Sequence, residues 1–140
     1  MSKHCSELHE LVNRMKRIMF PFESEMIPKN GIYILFEKNE LGHGGDRIVR
    51  IGSHTGDGKL RTRLKEHFLV ENKDRSIFRK NIGRALLNNS NDDFLKFWEI
   101  DLTTRVNKEK YLPMIDLNYQ AKIESKVTRY IQEMFSFVVI

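Results

Sequence analysis

The run Ile32-Tyr33-Ile34-Leu35-Phe36 constrains this chain most. It is rich in β-branched and aromatic residues, and the turn-forming Pro28-Lys29-Asn30-Gly31 leads into it, so it reads as a strand. Residues 38–46 are polar and glycine-rich, with Gly42-His43-Gly44-Gly45 at their end, and predict a mobile connection. A second strand follows at Arg47 to Ser53, which makes the pair an antiparallel hairpin with a long loop. The first run is also the longest apolar stretch in the chain, and it is far too short to cross a bilayer.

Other segments must pack against that hairpin. Leu8, Leu11, Val12, Met15, Ile18 and Met19 recur at helical spacing and predict an amphipathic helix over residues 6–19, ended by Pro21. Asp57 is placed to cap a helix running to Leu69, with Leu60, Leu64 and Phe68 inward. Ser76 caps another, with Ile77, Phe78, Ile82, Ala85 and Leu86 inward and Arg79, Lys80 and Arg84 outward. Phe94 to Leu102 is expected as the third strand, Thr103 to Tyr111 as a loop, and Leu117 to Met134 as the last helix. Phe135 to Ile140 reads as a final strand or the stub of a longer chain. The expectation is an α/β (α+β) protein with a small three-stranded, mainly antiparallel sheet flanked by helices. Residues 1–28 would be an amphipathic helix and lead-in, and 29–140 the functional domain, within one domain overall.

Charge narrows the partners. Over 140 residues, 24 Lys and Arg oppose 19 Asp and Glu, a net +5. Lys59 to Arg84 alone holds nine basic residues against three acidic ones. Clustered positive charge attracts polyanions, so nucleic acid is a reasonable partner, but by itself the charge run favours a solvated pair of helices, and composition alone does not decide. The single cysteine, Cys5, leaves no internal disulfide. The first twenty residues mix Lys, Glu, His and Arg with apolar residues, unlike a secretory leader, so a reducing cytoplasmic setting is expected. Cys5 and His4 read as inert, and His43 has no partner at metal-ligand spacing along the chain. Gly52 to Lys59 is not a phosphate loop: the glycine spacing is wrong, and Leu60 replaces the metal-binding hydroxyl.

Six side chains could carry chemistry, some with a commoner structural reading beside them. Tyr33 is an amphipathic core residue unless its hydroxyl is put to work. Arg50, Gly52 and His54 share one face of the second strand, and Gly52 leaves an opening for close approach. Arg63 and His67, four apart on a helix, point the same way, with Lys59 one turn earlier. An arginine fork suits a phosphate and a histidine can carry a proton near neutrality. Glu124 borders an apolar helix stripe, which most often means an exposed helix former.

Taken in order, Gly31-Ile32-Tyr33, Arg50-Ile51-Gly52-Ser53, Arg63-x-x-x-His67 and a helical Glu124 resemble the GIY-YIG nucleases over residues 29–136. The resemblance implies a Mg²⁺-dependent (or Mn²⁺-dependent) endonuclease, one ion per site, acting on DNA in the first place, with RNA not excluded. Tyr33 would activate or position water, Arg63 stabilise the scissile phosphate, His67 assist proton transfer and Glu124 bind the metal. Lys59, Arg61, Arg79, Lys80 and Arg84 would follow the nucleic-acid backbone, which gives affinity without sequence information. Two positions depart from the pattern: Arg50 replaces the second family tyrosine, with His54 as a substitute helper, and Ser136 stands where an asparagine is common. Specificity would come from a homodimer, a partner protein or segments outside this chain. The alternative is a catalytically altered or inactive domain that binds nucleic acid without cutting it.

Overall fold

The computed structural model describes residues 2–140 and divides them into two compact units. One comprises the chain up to Lys65 together with Ile131–Ile140, and the other comprises Glu66–Tyr130.

In the first unit, β1 (Ile18–Met19), β2 (Tyr33–Gly42), β3 (Gly45–Gly52) and β4 (Phe135–Val139) form one antiparallel sheet in the order β1-β4-β2-β3. Residues alternate faces along a strand. Ile34 and Phe36 therefore point one way and join Val12 and Val138 in a buried cluster, to which Leu8, Met15 and Ile48 are packed. Val12 and Leu8 belong to α1 (Lys3–Asn13), which covers that face. Tyr33 and Leu35 face the other way, opposite Gly52 and Arg50 of β3.

Three expectations are corrected in this unit. The helix expected over 6–19 ends at Asn13, because Ile18 and Met19 pair with Phe137 and Ser136 and so take strand geometry. The connection expected to be mobile is the end of a hairpin. Its strands run on to Gly42 and Gly45, and the two-residue turn His43-Gly44 has φ of +54° and +80°, the left-handed pair that a tight hairpin turn needs. The third strand lies at β4, whose register Leu35↔Phe137 makes β2 central, and β1 adds a fourth among the described residues.

The second unit is helical. It contains α3 (Ile77–Asn89), α4 (Leu95–Trp98) and α5 (Arg105–Tyr111), while α2 (Leu60–Phe68) and α6 (Leu117–Met134) each include a unit boundary. Phe94 to Leu102 is not a strand. Asp92 accepts the Phe94 N–H at 2.9 Å, Trp98 N–H bonds Phe94 O at 3.0 Å, and Phe94 and Trp98, one turn apart, are both buried. Thr104 caps α5 by accepting the Asn107 N–H, so the expected loop at 103–111 is a helix.

The inward face of α3 is also corrected, by about one residue of helical phase. Ile77 is 63% exposed, whereas Phe78, Arg79, Gly83 and Leu87 are buried. The cause is Trp98, whose indole ring lies so close to Gly83 that any side chain there would collide with it. The indole N–H donates to Lys80 O at 2.9 Å, which fixes the ring in place.

Candidate active site

In the first unit the strand register sets Tyr33 directly opposite Gly52. The phenol lies across the glycine: a Cβ built on Gly52 would overlap the Tyr33 hydroxyl and its ring carbons. Only glycine fits beneath that ring, which accounts for its presence in a β-rich strand. Tyr33 is 1% exposed, so its hydroxyl is held rather than free to swing. Arg50 lies on the same face, two residues along β3 and opposite Leu35.

The loops around this pair are stitched together. Leu60 N–H, at the start of α2, donates to Lys29 O at 3.1 Å, and Asn30 accepts the Gly58 N–H at 2.8 Å. Asp57 was expected to cap α2; instead it accepts the Asn30 amide at 3.0 Å, so it serves the loop. Both His54 nitrogens are engaged by backbone. Nε2 accepts the Gly31 N–H at 3.2 Å, and so Nδ1 carries the proton and donates to Gly56 O at 2.9 Å. These bonds tie the entry of β2, carrying Tyr33, to the first turn of α2, carrying Lys59 at its edge and Arg63 one turn in. Lys59 is exposed, Arg63 is half-buried, and Arg61 donates from Nε to Ile27 O at 2.7 Å.

In the second unit the central feature is a buried ion pair. Glu124, 5% exposed on α6, receives the Arg79 guanidinium at Oε1 (2.9 Å) and the Lys73 N–H at Oε2 (2.7 Å). The same Arg79 nitrogen reaches Glu124 O (3.0 Å) and Thr128 Oγ1 (2.8 Å), and its other terminal nitrogen reaches His67 O (3.3 Å). His67 is fully buried, its Nδ1 2.7 Å from Ser76 Oγ and its ring edge-on to Phe78 at 5.5 Å. Ser76 also caps α3 by accepting the Arg79 N–H, so one hydroxyl serves both the helix and the histidine. Arg79 thus connects His67 to Glu124, a role that no local pattern signals because its acidic partner lies 45 residues away.

Glu124 lines a cleft of about 680 Å³ in this unit, together with Glu71, Asp74 and Gln120. Asp74 accepts the Lys73 ammonium at 2.8 Å, with the Lys80 ammonium at 3.6 Å. Burial pulls the Lys73 ammonium below the usual lysine pKa, and the hydrogen bond and charge of Asp74 act in the opposite sense. As a candidate Mg²⁺ donor Glu124 is chemically suitable, since carboxylate oxygens are hard ligands, and the cations Arg75 and Lys108 share the cleft lining. Each Glu124 oxygen has one hydrogen-bond partner and retains acceptor capacity. The donors fit, with a guanidinium already beside one of them.

The basic segment is less open than its composition predicts. Arg79 was expected outward along a nucleic-acid backbone; it is 0% exposed and bound to Glu124, which removes it from that set. Arg84 pairs with Glu99, and Lys73 and Lys80 with Asp74. Glu99 and Glu124 lie outside the counted segment, so the local excess overstated the field. Sequence reasoning also missed a meeting of Cys5 with His9 and His43, because α1 and the β2–β3 turn are brought together only by the fold.

The family model for the GIY-YIG domain, a family of mostly metal-dependent nucleases, matches residues 2–140. No curated protein and no solved structure matches the chain.

Proposed function

Because the chain belongs to the GIY-YIG domain family, we propose that it is a divalent-metal-dependent endonuclease hydrolysing phosphodiester bonds in DNA. The observation that carries this reading is the Tyr33 phenol clamped over Gly52, on a strand whose loops are tied to the helix bearing Arg63. A buried phenol with a fixed hydroxyl can orient a water for attack and take part in its deprotonation. Arg63 would neutralise charge on the pentavalent phosphorus, which is the largest electrostatic demand of the step. Arg50, on the phenol's face of the sheet, would hold a neighbouring phosphate oxygen in place of a second tyrosine.

His67 would pass the proton, its orientation fixed by Ser76. Glu124 would hold the metal through oxygen, and when bound Mg²⁺ supplies Lewis-acid stabilisation of the reacting phosphate. His54 acts here through the loop it clamps. Lys59 and Arg61, with Lys80 and Arg84 where their acidic partners yield, would meet backbone phosphates.

Supercoiled plasmid tests this reading. Nicking in Mg²⁺ or Mn²⁺, stopped by chelation and by Glu124→Gln, is the expected result; intact plasmid with every divalent ion is the contrary one. A second reading is a non-cutting nucleic-acid-binding module. It is favoured by the Arg79 guanidinium, which offsets the Glu124 charge a metal would use, and by Arg50 at the tyrosine position. That reading predicts binding that weakens steeply with salt, without turnover.

A further inference from the structure

Outside the residues proposed for hydrolysis, Cys5 Sγ stands 3.5 Å from His43 Nε2 and 3.7 Å from His9 Nδ1. All three donor atoms lie within 4.8 Å of one another. The two imidazoles stack, 4.0 Å between centroids and 27° between planes. A tetrahedral Zn²⁺ with a thiolate at about 2.3 Å and an imidazole at about 2.0–2.1 Å separates those two donors by about 3.5 Å. The Cys5–His43 edge therefore already has the length of a zinc-site edge.

Hydrogen bonding decides which nitrogens can bind. His9 Nε2 accepts the Ile48 N–H at 3.1 Å, so Nδ1 bears the proton and donates to Cys5 O at 2.8 Å. His9 cannot offer a lone pair without stripping a strand amide of its acceptor, and at 5% exposure it forms a fixed wall. His43 is arranged differently. Its Nδ1 lies 3.3 Å from Ser6 Oγ, and an N–H donated there leaves the Nε2 lone pair facing the thiol. Such an outer partner is what orients an imidazole ligand in metal sites. The left-handed turn at His43-Gly44 fixes the ring's approach, and an adjoining cleft of about 340 Å³ leaves room for water.

We propose that Cys5 Sγ and His43 Nε2 form a binding site for a borderline-soft divalent cation such as Zn²⁺, with Ser6 orienting His43 and water completing the shell. Binding breaks the thiol S–H bond and releases that proton to solvent, while one metal–sulfur and one metal–nitrogen bond form; nothing is oxidised or reduced. The ion would staple α1 to the β2–β3 turn. Soft sulfur ligation discriminates against Mg²⁺, so the site is independent of any ion at Glu124.

The test uses the whole chain with Co²⁺ as a spectroscopic probe and Zn²⁺ as competitor. With excess Mg²⁺ occupying any site at Glu124, the expected result is one Co²⁺ per chain with a thiolate-to-cobalt charge-transfer band that Zn²⁺ displaces and Glu124→Gln retains. Cys5→Ser abolishes the band. Ser6→Ala weakens affinity about 10–100-fold, the usual effect of losing an orienting partner. His43→Asn, which tolerates the same left-handed turn, weakens it further. Circular dichroism of each variant establishes that it is folded. A folded Cys5→Ser or His43→Asn that binds as tightly as the wild type overturns the proposal, as does a wild type with no band.

Discussion

Replacing Arg79 by methionine separates a buried structural arginine from a surface one that meets nucleic acid. The guanidinium donates to Glu124 Oε1, Glu124 O, Thr128 Oγ1 and His67 O, with no exposure to water. Methionine fills much of the same volume but leaves the Glu124 carboxylate buried with the Lys73 N–H as its remaining donor. Breaking one side of a buried ion pair costs about 3–5 kcal/mol, because the surviving charge stays desolvated. For a chain of this size that is a fall in Tm on the order of 10 °C. Thr128 still donates to Glu71, so its hydroxyl is not stranded and adds little. The double variant Arg79→Met with Glu124→Gln removes the stranded charge and should recover about half the loss or more. Urea unfolding followed by the fluorescence of Trp98, buried in the same unit, measures all four corners of the cycle. A cost for Arg79→Met below about 1 kcal/mol, or strict additivity in the cycle, would refute the reasoning, since exposed arginines behave that way.

Gly52→Ala places a methyl against the Tyr33 phenol, which is too buried to move aside; it should cost about 1–3 kcal/mol in thermal unfolding and lower the Mg²⁺ cleavage rate. Unchanged stability and rate together would contradict the contact. Asp92 is held below the usual carboxylate range, first by the Tyr119 hydroxyl and then by the Phe94 N–H. A depressed carboxylate contributes its full stability above its unfolded pKa of about 3.9 and loses it as pH falls through the lower folded value. Tyr119→Phe should therefore flatten the acid limb of a stability–pH curve below about pH 4, and an unaltered limb would exclude that hydrogen bond as its source.

The parts of the fold legible in the sequence were those set by local chemistry. The apolar stripe of α6 marked Leu117–Met134, and Ser76 marked the start of α3, since capping and periodicity act within a few residues. The parts that were illegible depended on distant partners. Ile18-Met19 carries helical spacing yet pairs with β4, more than a hundred residues later. Lys96-Phe97-Trp98 has strand-like composition, yet Trp98 is drawn onto Gly83 of α3 and closes a helical turn. The candidate site divides the same way. Strand alternation groups Tyr33 with Leu35 and Arg50 with Gly52, and helical spacing sets Arg63 and His67 one turn apart, whereas the register that puts Tyr33 opposite Gly52 comes from the fold. The Arg79–Glu124 pair and the Cys5–His43 contact join residues 45 and 38 positions apart, which no local pattern reports.

Tyr33→Phe, which removes one hydroxyl and leaves the ring over Gly52, gives the most direct test of hydrolysis by this chain. In single-turnover nicking of plasmid with saturating Mg²⁺, the wild type should cut and the variant should be slower by about 10²–10⁴-fold, the range for a lost proton-transfer group. A phenylalanine variant that nicks at the wild-type rate, or a wild type that leaves the plasmid closed, contradicts the account.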